Sequence, residues 1–139
     1  MKTRIQKIEY FNLNVKDQPG EAYRLLQGLA ELGINLLAFS AVPVGPGTTQ
    51  LTIFPEENDR LVSVAKQSGM NLEGPHPAII VQGKDSVGSL VSIHQRLSQA
   101  NINVYASTGV ADGQGNFGYI IYMRAEDVDR AMKSMEIGR

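Results

Sequence analysis

Cysteine is absent from the 139 residues, so the chain has no disulfide, no thiolate nucleophile and no thiolate metal ligand, which fits a reducing compartment. No apolar run approaches the roughly 20 residues that span a bilayer, which sets membrane insertion aside. The opening MKTRIQKIEYF has basic residues but no apolar stretch or small-residue cleavage site behind them. It does not read as a secretory signal, and the cytoplasm is the expected location. Charge of one sign is missing too. Thirteen basic and 14 acidic residues leave a net charge of −1, which supplies no field to draw the protein to nucleic acid or anionic lipid. What remains is a 42% hydrophobic, 6% aromatic chain, the composition of a soluble globular protein long enough to bury a core. Any partner must be recognised locally.

What the chain does have is a repeat. VKDQPGEAYRLLQGLAELGIN, beginning at Val15, is answered by GKDSVGSLVSIHQRLSQANIN, beginning at Gly83. Asp17 and Asp85, Gly20 and Gly88, Leu29 and Leu97, Asn35 and Asn103, Gly45 and Gly113, and Gly47 and Gly115 all pair 68 residues apart. Each copy is longer than a solenoid unit, so two similar lobes are expected rather than a stack of short repeats. The boundary is placed at LEGPHP, Leu72–Pro77, where glycine and two prolines interrupt the pattern. This gives domains of residues 1–73 and 74–139.

Within each copy the hydrophobic period changes in a fixed order. Phe11, Leu13 and Val15 alternate with Asn12 and Asn14, the period of a half-buried strand. Ala22, Leu25, Leu26, Leu29 and Leu32, and in the second copy Leu90, Ile93, Leu97 and Ala100, recur at helical spacing. INLLAFSAV and INVYASTGV then read as strands entering the Gly-rich turns PVGPGT and ADGQGN, with QLTIF or GYIIY returning as a hairpin. Leu61, Val64 and Ala65, or Val128, Ala131, Met132 and Met135, mark a second helix. With a strand near Met70–Leu72, the order is βαββαβ, predicting an α+β protein of two ferredoxin-like sandwiches, each a sheet covered by two helices. Leu25, Leu29, Leu51 and Ile53 should occupy the same core positions as Ile93, Leu97, Tyr119 and Ile121. Only EIGR follows Met135, so the second lobe must end its sheet early or borrow a strand. RIQKI, Arg4–Ile8, is the candidate loan; the alternative is that it merely lengthens the first strand.

A strand, a D-x-P-G turn, an apolar helix and G-I-N entering the next strand resemble the opening of an ACT domain, and the resemblance covers nearly the whole chain as a tandem pair. The first copy carries Asp17, Pro19, Gly20, Gly33, Ile34 and Asn35 of that pattern. The second keeps Asp85, Gly88, Ile102 and Asn103, with Val87 for proline and Asn101 for glycine. The resemblance implies a non-catalytic regulatory module that binds amino acids or similar small ligands at ACT–ACT interfaces, with sheets joined side by side in a homodimer.

The residues support such a ligand on chemical grounds. Gly20 allows close approach where the helix begins, and the unpaired amides and positive dipole end of a first turn favour a carboxylate. Asn35, if it enters the neighbouring strand beside that turn, offers both donor and acceptor. Asp17 can accept from an ammonium group. The candidate ligand-binding residues are therefore Asp17, Gln18, Pro19, Gly20 and Asn35, with Asp85, Ser86, Gly88 and Asn103 in the second copy. The first copy, holding the complete turn, is expected to bind better. Taken singly, each residue has an ordinary structural role as N-cap, turn former or loop amide; the doubled constellation is what points to a ligand.

Other chemistries fit less well. NFGYIIY, Asn116–Tyr122, resembles part of an RNA-recognition motif, but Gly115 and Asn116 stand where that signature opens with a basic residue and a glycine, and AIIVQG lacks an aromatic. IIVQGKDSVG resembles a fragment of the acylphosphatase loop but contains no arginine to hold a phosphoryl group. His76 lies between prolines in the connector. His94 aligns with Leu26 at the edge of the core, and neither histidine has a partner for a metal cluster. The acidic residues of PEENDR and RAEDVDR read as helix-start charges and solvated faces. No cofactor, metal or catalytic residue is implied. A competing class is a structural or protein-interaction module whose glycines only make turns. In the regulatory reading no fused catalytic domain is expected, so any output passes to a separate enzyme or regulator.

Overall fold

The alternation around Phe11 and Leu13 belongs to β1 (Arg4–Lys16); the helical spacing after it forms α1 (Glu21–Glu31). A hairpin of β2 (Leu36–Gly45) and β3 (Thr48–Pro55) follows, then α2 (Asn58–Ser68) and β4 (Glu73–Lys84). The same series recurs as α3 (Ser89–Gln99), β5 (Ala106–Ala111), β6 (Asn116–Tyr122), a 3₁₀ turn (Ala125–Asp127) and α4 (Val128–Glu136). These elements come from a computed structural model, which describes residues 3–136. The segment after α4, on which the expectation of an early-ending sheet falls, lies outside the described residues. The fold is α+β with antiparallel strand pairing, and no helix among the described residues is long and apolar enough to cross a membrane.

The chain divides into two compact units. Lobe one is residues 9–76, with strand order β2-β3-β1-β4. Lobe two is residues 77–136 together with residues 3–8, with strand order β1-β4-β6-β5. Both alternatives for RIQKI are therefore realised at once: it is the beginning of a 13-residue strand, and it lies in the unit of the second repeat. Thr3 runs so close to Gly83 that a Cβ there would meet Thr3 Oγ1 at 3.1 Å.

The connector departs from expectation. Instead of a break between a strand at Met70–Leu72 and another after Pro77, β4 runs through Gly74, Pro75 and Pro77 as one strand. Prolines lack the N–H of a ladder, so they survive in a strand only where no such bond is needed. Gly74 is required for a different reason. A Cβ on it would meet Tyr10 O at 2.8 Å, and its φ is +144°.

Pairing repeats residue by residue at the 68-residue interval. Phe11 faces Ile53 and Leu13 faces Leu51, as Ile79 faces Ile121 and Val81 faces Tyr119; Ala41 opposite Leu51 becomes Gly109 opposite Tyr119. Register fixes which face each side chain takes, so the cores correspond as the sequence predicts. Leu25, Leu29, Leu51 and Ile53 form one cluster, and Ile93, Leu97, Tyr119 and Ile121 the other. Each such side chain contributes about 1.5–3 kcal/mol by leaving water. The sheets are not open on their second face everywhere. The run Leu51–Pro55 is buried throughout, with the Phe54 ring 5.2 Å from Tyr10, as expected where a strand is apolar on both sides.

Asp127 also departs from its expected place on a solvated face. It is 3% exposed and accepts from Arg124 Nε at 3.0 Å and Arg130 Nη2 at 2.9 Å. A carboxylate is buried here because two guanidiniums satisfy both oxygens.

Candidate functional site

Each D-x-x-G turn is tied to the tip of its own hairpin. Asp17 N donates to Gly47 O at 2.9 Å, and Asp85 N to Gly115 O at 2.9 Å. The glycines then enter the left-handed region, Gly20 at φ 90° and Gly88 at φ 78°, and stand as N-caps of α1 and α3 without any side-chain cap. Neither Asp17 nor Asp85 caps its helix, so the ordinary N-cap role is not the one they play. Gln18, Pro19, Ser86 and Val87 are exposed around them.

Proline is not what shapes the turn. Val87 occupies the Pro19 position without changing the glycine conformation that follows. The other departure from the repeat has an equally local reason: Gly33 sits at φ 73° and Asn101 at φ 57°. Asparagine is among the few non-glycine residues that accept left-handed backbone readily, so the helix exit is conserved in form. In both copies the next N–H reaches back to the helix, Ile34 N to Leu29 O at 2.9 Å and Ile102 N to Leu97 O at 3.0 Å.

Asn35 does not join the Asp17–Gly20 turn. It lies at the end of β3 marked by Leu36 opposite Pro55, whereas Lys16 faces Thr48 at the other end. An eight-residue strand at about 3.3 Å per residue puts roughly 23 Å between these ends. Asn35 Nδ2 instead donates to Glu56 Oε2 at 2.6 Å, and Arg60 Nη2 to Leu32 O at 2.8 Å, closing a small hollow of about 70 Å³. Asn103 is exposed at the matching end of lobe two, where Arg124 stands in the place of Glu56. Within one lobe, therefore, the turn and the asparagine cannot hold one small ligand together.

The two turns also differ in what surrounds them. Beside Gly88 is a hollow of about 430 Å³ floored by Gly109, Gly118 and Phe117 and walled by Leu90, Val91 and Val110. The positions matching its glycines in lobe one are Ala41 and Gln50. A side chain on Gly118 would meet nothing within 4 Å, so its absence leaves room. Sequence reading passed over these glycines because an isolated strand glycine suggests only a bulge or a close backbone approach. His76 Nε2 lies 2.7 Å from Glu73 Oε1, and no metal-binding group of acidic, histidine or cysteine side chains exists among the described residues.

The sequence matches no family model and no curated protein. Solved structures do match. One is a Bacteroides thetaiotaomicron protein at TM-score 0.76 and 14% identity, over 96% of this chain and 88% of that one. Another is the ligand-free regulatory subunit of aspartate kinase from Thermus thermophilus, at TM-score 0.63 and 18% identity, over 96% and 94%. A third is the Thermus flavus regulatory subunit, at 0.58 and 18%, over 98% and 95%. The fold is ACT-like. Identities this low carry the fold and nothing finer.

Proposed function

We propose that the protein is a non-catalytic regulatory protein of the cytoplasm, a tandem pair of ferredoxin-like ACT units that binds an amino acid where ACT units of a homodimer meet. Its output would pass to a separate protein. One observation carries the reading: a glycine-led helix start free of any side-chain cap recurs 68 residues apart. First-turn amides and the helix dipole suit a carboxylate, and Asp17 or Asp85 beside them suits an ammonium group. Because Asn35 and Asn103 stand at the far ends of their own lobes, completing such a site takes an asparagine from outside the lobe, and in this reading a neighbouring copy of the chain supplies it. That requirement is a physical motive for dimerisation, added to the exposed β2 and β5 edges.

The test is thermal melting against a panel of free amino acids. At about 100 times its dissociation constant a ligand stabilises by roughly 2.7 kcal/mol, a shift of several degrees for a protein of this size. At least one amino acid should raise the melting temperature selectively. Since proline does not set the turn and a hollow of about 430 Å³ lies beside Gly88, Asp85→Ala should remove more of that response than Asp17→Ala. A flat panel from a well-folded dimer would transfer the case to the interaction-module reading. Variants that lose stability but keep the whole response would make the aspartates turn formers only.

A further inference from the structure

The hollow beside the Gly88 turn belongs wholly to lobe two, and its volume of about 430 Å³ falls in the range of small-molecule sites, roughly 300–1,000 Å³. Its lining divides by chemistry. Asp85, Ser86 and Gly88 are the turn already read as the place for an amino acid's charged groups; Leu90, Val91 and Phe117 are apolar. Asp85 is the one charged side chain among the described residues that line the hollow, and its carboxylate has no hydrogen-bonded or ionic partner among the described residues. A single free anion matches a single cation.

The apolar part is particular to this lobe. Ala111, also in the lining, faces Phe117 across the β5–β6 pair, so the two side chains share one face of the sheet, and the small alanine leaves the ring half-buried. The matching residues of lobe one are Pro43 for Ala111, Thr49 for Phe117 and Ala22 for Leu90. The repeat therefore forms without an aromatic ring or a leucine at these positions.

We propose that the amino acid taken by lobe two has a large apolar side chain, of leucine to phenylalanine size, lying against Phe117 and Leu90 while Asp85 takes the ammonium group. The assignment rests on the amino-acid reading of the Gly88 turn and adds the class of ligand to it. A charged ligand side chain would lie among Leu90, Val91 and Phe117 with no counter-ion. A small one would leave the ring uncovered, whereas each further buried carbon adds about fourfold in affinity.

The experiment titrates the free amino acids into the full chain while backbone amide resonances are followed. At least one of leucine, isoleucine, methionine and phenylalanine should saturate shifts at residues 85–91 and 111–117, and bind at least about tenfold more tightly than alanine or lysine. The ammonium-free analogues 4-methylpentanoate and 3-phenylpropanoate should bind about tenfold more weakly than leucine and phenylalanine, the scale of one charge-assisted hydrogen bond. Ala111→Leu, a change on an exposed edge strand that fills the space beside Phe117, should weaken the tightest of these ligands at least about tenfold with the fold intact; Ala111→Ser, which leaves that space open, should not. Lysine or alanine bound at the same amides as tightly as leucine and phenylalanine would overturn the apolar assignment and leave the amino-acid reading standing, whereas no saturable shift from any amino acid would end both. Unchanged affinity in Ala111→Leu would also overturn the assignment, and if that variant instead weakened self-association, the hollow would be a contact between copies of the chain.

Discussion

Lobe one packs Leu51 across from Ala41, with Phe39 and Leu26 at the positions that in lobe two hold Ser107 and His94. Lobe two instead packs Tyr119 across from Gly109, and its hydroxyl lies 2.6 Å from His94 Nε2 and donates to Ser107 Oγ at 2.7 Å. The exchanges depend on one another. A Cβ at Gly109 would come within 2.8 Å of the Tyr119 ring, so the larger tyrosine requires the smaller residue opposite, and its polar tip requires the polar pair. One backbone register thus accommodates either an apolar or a hydrogen-bonded solution, and the choice has a consequence at the surface: Gly109 is part of the hollow beside the Gly88 turn.

Breaking the shared part of the comparison should have the largest effect. Leu29 and Leu97 are each 1% exposed at equivalent core positions, so Leu29→Ala and Leu97→Ala should each cost about 2–5 kcal/mol in chemical denaturation. Hydrogen exchange should place the first loss of protection in the lobe that carries the substitution. If either change weakened both lobes equally, the lobes would be one cooperative unit, and treating them as two cores would be wrong.

Removing only the Tyr119 hydroxyl sharpens the contrast at intermediate cost. Tyr119→Phe keeps the ring packing but loses both hydrogen bonds; because His94 and Ser107 reach water, the expected loss is about 1 kcal/mol. A variant as stable as the parent would show that lobe two gains nothing from its polar trio beyond what lobe one obtains from leucine.

The smallest effect belongs to the hairpin tips. Asp112 Oδ1 accepts from Gln114 N at 2.7 Å and Asn116 N at 3.1 Å, and these backbone N–H groups hold its carboxyl below the usual range. Val44 stands at the matching place in lobe one and can do neither. A lowered folded-state pKa means stability that is present above the ordinary carboxylate value and lost as pH falls through the folded one. The melting difference between the parent and Asp112→Ala should therefore be small at neutral pH and vanish in acid; a difference that grew in acid would contradict this bonding.

The element order, both cores and the turn glycines were legible in the chain, because each depends on spacing within a few residues: Leu25 and Leu29 one helical turn apart, Leu51 and Ile53 on one side of a strand, Gly20 at the position where a helix must start in left-handed backbone. The continuity of β4 was not legible, since Gly74 and Pro75 signal a break in any local reading. Their place in a strand depends on the close approach of Tyr10 and on which ladder bonds are dispensable, both set by distant residues. The candidate site divides the same way. Asp17, Gly20, Asp85 and Gly88 could be read from the repeat, but whether Asn35 reaches them could not. Nor could the hollow left by Gly109 and Gly118. Local spacing fixes which face a residue takes, whereas the distance from one end of a sheet to the other, and the space left where a side chain is missing, exist only once the strands are paired.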